Sequence, residues 1–131
     1  MSSFVVDANV GFELVNAPRP VDRLVGDEPV APPLLWPEVR SALHVARWRG
    51  LLTEEDAYLA RDLLESDIFR ERRHRRLGER AWTIADSLGW SKTYDAEYLA
   101  LSSLLRAPIA TFDQRVARAA EHLGIPLYTF K

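Results

Sequence analysis

The chain has 131 residues, 47% of them hydrophobic and 27% charged, with a net charge of −2 and no cysteine. This is the size of one domain around one core, too acidic for a generally basic nucleic-acid binder, though a local basic patch remains open. The lack of cysteine excludes disulfides, thiolate metal sites and a thiol nucleophile, and fits a reducing compartment.

The elements follow in chain order. "FVV" (4–6) is short, apolar and β-branched, and reads as a first strand buried on both faces. It runs into Asp7, and "ANVGFELVNA" then has helical spacing at Val10, Leu14 and Val15. No basic segment followed by an apolar one precedes the strand, so no export signal is expected. From Pro18 to Pro33 the chain holds five of its eight prolines. This is a connection, with one short helix expected where Pro20 suits a first turn, Leu24 and Val25 are apolar, and Gly26 stops it.

"LLWPEVRSALHVARWRG" predicts an amphipathic helix with Leu35, Val39, Leu43 and Ala46 on one stripe. Gly50 is its stop, and Pro37 must lie in its first turn, where a missing N–H does no harm. "TEEDAYLARDLLES" is a second helix capped by Thr53, with Glu54, Glu55 and Asp56 at the positive end of its dipole. "DIFRERRHRR" admits a short strand around Ile68 and Phe69 before a helix through "LGERAWTIADSLG", closed by Gly89. "DAEYLALSSLLR" is apolar almost all round and should be a central, buried helix. "PIATF" is a strand, "DQRVARAAEHLG" a helix and "IPLYTF" a last strand. No apolar run reaches the roughly 18–20 residues that span a bilayer, so no membrane contact is expected and the cytoplasm is the default location. The alternation predicts an α/β fold with a parallel sheet of about four to five strands, in a single domain over residues 1–131.

Two strands end alike, "FVV" at Asp7 and "IATF" at Asp113. In a parallel sheet both ends lie on the edge where ligands bind. Asp95 opens the buried helix, and Glu38 lies in the first turn of the helix after the proline-rich connection. Each acid alone reads as well as a helix cap or a first-turn acid, a role worth about 1 kcal/mol for a cap. Four converging acids are another matter. Their repulsion is roughly 4 kcal/mol per pair at 4 Å with an effective dielectric of 20, against about 0.3–1 kcal/mol from each helix dipole. Either some of them are protonated or a divalent cation holds them, and oxygen ligands without cysteine favour Mg²⁺ or Mn²⁺.

"FVVDANV", "LLWPEVRSALHVARWRGLLTEEDA" and "YDAEYLALSSLLRAPIATFDQRVARAAEHLGIPL" together resemble the PIN-domain ribonucleases, and most of all the VapC toxins of bacterial toxin–antitoxin pairs. The resemblance runs through nearly the whole chain and is most diagnostic in "DAEYLAL" followed by "ATFDQR". The family's four acidic positions match Asp7, Glu38, Asp95 and Asp113. Its polar residue before the last acid matches Thr111, and Asn9 falls where the family often has a small polar residue. Ser102 departs from the more usual alanine, and Pro37 directly precedes the matched glutamate. The resemblance implies a PIN-like α/β/α sandwich and metal-dependent endonucleolytic cleavage of RNA. It also implies a cognate antitoxin that blocks the acidic site, and a homodimer.

Mg²⁺ takes one or two direct carboxylates. The expected direct ligands are therefore Asp7 with Asp113 or Asp95, with Glu38 acting through water or as general base. Thr111 is a hydrogen-bond partner for a carboxylate or phosphate, or equally a plain strand residue. One metal ion and two remain alternatives. Glu97, two residues beyond Asp95, should point off that helical face. His44 and His122 have no ligand-like partner at helical spacing.

"FRERRHRRLGER" collects six arginines between Arg70 and Arg80. It is either a phosphate-binding patch or a solvated face on which Glu71 and Glu79 pair with neighbouring arginines. Trp36, Trp48, Trp82 and Trp90 belong mostly to the core, with room for one or two on a partner surface. Two other functional classes compete. One is a PIN fold that holds RNA or protein without cutting. The other is a phosphoryl-transfer protein of receiver or haloacid-dehalogenase type. The phosphatase needs a second Asp where Asn9 stands. The receiver needs an acidic pair in the first loop and a lysine after a late strand, but there is no acidic pair near Asp7 and no lysine between Ile109 and Leu127. No Walker-type glycine loop exists.

Overall fold

A computed structural model describes residues 2–17 and 26–130. Within them, four parallel strands and six helices alternate as β1 (Ser3–Val6), α1 (Ala8–Asn16), β2 (Glu28–Ala31), α2 (Leu35–Trp48), α3 (Glu54–Leu64), β3 (Arg70–Glu71), α4 (Leu77–Leu88), α5 (Tyr94–Leu105), β4 (Ile109–Ala110) and α6 (Gln114–His122). The strand order is β3-β2-β1-β4. β1 therefore has a hydrogen-bonded neighbour on both sides, and helices cover its faces. Phe4, Val5 and Val6 are accordingly fully buried, which explains why this strand is uninterruptedly apolar. This is the architecture of a PIN-like α/β/α sandwich.

α2 buries Leu35, Val39, Leu43 and Ala46, the stripe expected from the spacing, and it carries Pro37 in its first turn. α1 packs against α2 at Gly11, where an added Cβ would stand 3.1 Å from Leu35 and 3.3 Å from Val39. The absent side chain lets the two helices approach. Thr53 caps α3 by accepting the Asp56 amide at 3.0 Å. Gly89 closes α4 in the left-handed region, at φ 69°. α5 is buried at Ala96 and from Tyr98 to Ser102, and it packs against β1, β4, α4 and α6.

Three expectations change. The proline-rich connection contains a strand, β2, although Pro29 has no N–H to give a ladder. The Glu28 amide bonds back to Ser2 on the β1 side. By the alternation of a strand, the Pro29 nitrogen faces the other neighbour, β3, and β3 begins only opposite Val30. The missing donor thus has no ladder partner to lose. The short strand expected around Ile68 and Phe69 lies slightly later, at Arg70–Glu71, with Phe69 turned into the core. The last expected strand is a single bridge from Leu127 to Ile109. It is held by the Tyr128 amide on the Ile109 carbonyl (2.8 Å) and by Tyr128 stacked on Phe4 at 3.7 Å. The short helix expected around Pro20 to Val25 falls outside the described residues.

Among the described residues, no helix is long and apolar enough to cross a membrane.

Candidate active site

The carboxyl ends of β1 and β4 lie side by side. Val6 is in register with Ala110, and the Asp7 amide donates to the Ala110 carbonyl at 3.3 Å. Here the strand order reverses: β2 and β3 lie to one side of β1, and β4 to the other. In open parallel sheets the crevice outside such a switch point is where ligands bind. Asp7 and Thr111 are the first residues beyond the two strands, and Asp113 follows two positions on.

Asp7 is 5% exposed, one of only two buried polar or charged residues among those described. Its side chain caps α1 by accepting the Val10 amide at 3.0 Å. Burial pushes its carboxyl above the ordinary range. The Thr111 hydroxyl and the Val10 amide pull it back, and the charges of Asp95 and Asp113 push it further up. Two of the other acids singled out in the sequence, Asp95 and Asp113, therefore lie close enough to act on Asp7. The three acids stand on three elements that are distant in the chain.

Asp113 caps α6, its Oδ1 accepting the Arg115 amide at 2.8 Å and the Val116 amide at 3.4 Å. Its own amide donates to the Thr111 hydroxyl at 3.0 Å. Thr111 thus accepts the Asp113 amide, and its hydroxyl lies near enough to Asp7 to lower that carboxyl's pKa.

Asp95 does not open α5 as expected. Thr93 holds the cap position without a side-chain cap bond, and Asp95 lies in the first turn. Its carboxylate is not spent on capping. It pairs instead with the guanidinium of Arg115, which also lies over the Trp90 ring at 4.3 Å.

Glu38 reaches the site through a residue not singled out in the sequence. The Tyr98 hydroxyl donates to Glu38 Oε1 at 2.5 Å. Tyr98 is 1% exposed. Its phenol is pushed far above the ordinary range by burial, by that hydrogen bond and by the charges of Glu38, Asp7 and Asp95. It stays protonated and is a fixed donor. The signal for it was available: Tyr98 is three residues beyond Asp95, on the same face of a helix. Glu97 was expected to point elsewhere. Burial nevertheless raises its pKa, and so does the charge of Glu38, which places it in the field of that acid.

Among the described residues, no group of three or more His, Cys, Asp or Glu side chains is placed to hold a metal ion. Asp95 pairs with Arg115, Asp113 caps its own helix and Glu38 accepts from Tyr98. The donor set itself consists of carboxylates and a hydroxyl. It suits a hard cation that keeps most of its water and takes one or two carboxylates directly.

The arginine-rich stretch is largely self-paired. Arg70 meets Glu28, Arg73 meets Glu71 and Arg76 meets Glu79, all at 3.3–3.5 Å, and Arg80 donates to Ser103 at 2.6 Å. This is the solvated-face arrangement, and it leaves Arg72 and Arg75 without an ion pair among the described residues. Trp36 and Trp90 pack against the core. Trp48 and Trp82, by contrast, are 82% and 67% exposed.

No protein-family profile matches the chain, and no curated protein matches it.

Proposed function

We propose that the chain is a metal-dependent endoribonuclease of PIN type that acts as the toxin of a toxin–antitoxin pair. The observation that supports this reading is that Asp95 and Asp113 both act on the buried carboxyl of Asp7, at the sheet's switch point. Glu38 is attached to the group through Tyr98. Carboxylates that only capped helices would not need to meet. Asp95 caps nothing and is held beside the start of α6 by its pair with Arg115.

Asp7, with Asp113 or Asp95, would hold Mg²⁺ or Mn²⁺. The bound cation supplies a water that ionises near neutral pH and a positive charge facing the phosphate. Tyr98 fixes the Glu38 carboxylate, leaving Glu38 as the acceptor for a proton from the attacking water. Thr111 orients Asp7 through its hydroxyl. RNA is the substrate class the resemblance points to. The exposed apolar residues Trp48, Leu51 and Leu59 of the α2–α3 region supply surface for an antitoxin or a second copy of the chain. A cytoplasmic location goes with that role.

The Arg115–Asp95 pair favours a second reading, a PIN fold that binds RNA or a protein without cutting, because the guanidinium already neutralises one of the four acids. The test is cleavage of RNA by the purified chain with Mg²⁺ or Mn²⁺, beside a chelator and beside Asp7→Asn. The nuclease reading expects cleavage that chelation abolishes and that the substitution reduces by at least ~100-fold. No cleavage of any RNA with either metal, or cleavage that survives both controls, overturns it. Arrested growth on expressing the chain alone, relieved by a co-expressed partner, tests the toxin role.

A further inference from the structure

Beside the acidic site lies an open pocket of about 280 Å³ whose wall includes Glu38, Trp90, Lys92, Tyr94, Asp95 and Arg115. Two of these are acids of the proposed centre. The others are two cations and two aromatic residues, and the proposed chemistry uses none of them. We propose that this pocket is a subsite for one unpaired nucleotide of a single-stranded RNA, next to the phosphate to be cut. The proposal rests on the ribonuclease reading.

The chemistry of the wall is that of a nucleotide. Tyr94 is 56% exposed, an aromatic face open to solvent at the start of α5. Arg115 is backed by the Trp90 ring, its guanidinium carbon 4.3 Å from the ring centroid. Unstacked bases settle on tyrosine rings and on arginine planes of this kind, whatever their sequence. Lys92 makes no ion pair among the described residues. Among the described residues, Arg115 has only the half-exposed Asp95 as counter-ion, a weak tether in water. Both cations can therefore take phosphates of the strand, and they offset the repulsion of Asp95 and Glu38 toward it. The volume lies just under the ~300–1,000 Å³ of pockets that take drug-sized ligands, which suits one nucleotide and not a longer stretch of strand. An acidic peptide would find the cations but would leave the two flat surfaces unused.

The test is the affinity of a short fluorescein-labelled single-stranded RNA, followed by anisotropy in chelator so that no cleavage intervenes, over a series of salt concentrations. Tyr94→Ala should weaken binding about tenfold and leave the salt dependence unchanged, as loss of one stacked base does. Lys92→Gln should flatten the salt dependence by about 0.7 in the log–log slope, as loss of one phosphate contact does. Both variants must melt as the wild-type chain does. The subsite is overturned if the wild-type chain does not bind the strand or if neither substitution changes the binding. It is also overturned if duplex RNA or poly-glutamate displaces the strand as well as unlabelled strand does. The two readings separate cleanly. Tyr94-dependent binding by a chain that never cleaves keeps the subsite and ends the nuclease. Metal-dependent cleavage with wild-type strand affinity in both variants keeps the nuclease and ends the subsite.

Discussion

Asp7 holds two roles that pull against each other. As a cap it needs only an acceptor oxygen, and it has one on the Val10 amide. As a buried carboxylate beside Asp95 and Asp113 it is costly to ionise, so its pKa is raised above 3.8. Between that ordinary value and the raised one, the folded chain binds more protons than the unfolded chain. The stability Asp7 contributes is therefore complete below pH 3.8 and is lost as pH rises through the folded value. Asparagine caps a helix as well as aspartate and carries no charge. Asp7→Asn should thus melt higher than the wild-type chain at neutral pH in chelator, by about 4 °C for each ~1 kcal/mol gained. The gain should shrink toward pH 4, and a lower melting point at neutral pH would refute the account of Asp7. Tyr98 is the complementary case, a donor that cannot ionise. Tyr98→Phe should keep the fold and lower metal-dependent cleavage by about 10–100-fold, the usual cost of losing a group that orients a site carboxylate. Unchanged cleavage would remove Tyr98 from the site. The acids could be read from sequence because each follows a strand or lies in the first turn of a helix. Tyr98 shares a helix face with Asp95, but its spacing says nothing of its hydroxyl, since a tyrosine in a buried helix looks the same whether that group is used or not.

At the scale of elements, α5 and α6 carry the arrangement. Asp113 caps α6 whatever else it does, and two substitutions separate the roles. Asp113→Asn should preserve stability and lose cleavage. Asp113→Ala should lose both, with about 1 kcal/mol of stability gone. Equal cleavage by the wild-type chain and Asp113→Asn would leave only the cap. α5 is the least amphipathic of the helices because β1, β4, α4 and α6 all pack on it. Ser102 is buried there with no hydrogen-bond partner for its hydroxyl among the described residues, in the position where the resembling family more usually has alanine. Ser102→Ala should stabilise the chain by about 1 kcal/mol, read from denaturant unfolding. A loss of stability would mean that the hydroxyl has a role the structure does not show. Patterning made these helices legible: α2 buries the stripe its spacing named, and α5, apolar almost all round, is buried as that pattern requires. β2 was not legible, because Glu28 and Pro29 look unlike a strand until the short neighbour beyond Pro29 is seen. The final segment was over-read for the opposite reason: "IPLYTF" has the composition of a strand, but it is anchored through Tyr128 and the Phe4 ring.

At the scale of the molecule, the fold brings acids from four separate regions of the chain to one edge of the sheet. The class of fold follows from the alternation of short apolar runs with amphipathic ones, and the edge follows from parallel pairing. The pairing of Asp95 with Arg115 did not follow, since it joins residues twenty positions apart across two helices. The most direct test of the shared site is calorimetric titration of the chain with Mn²⁺, repeated on Asp95→Asn and Asp113→Asn. The account predicts saturable binding that each substitution weakens by about tenfold or more, although the two residues stand on different elements. A wild-type chain that takes up no Mn²⁺, or one whose affinity neither substitution changes, would contradict it.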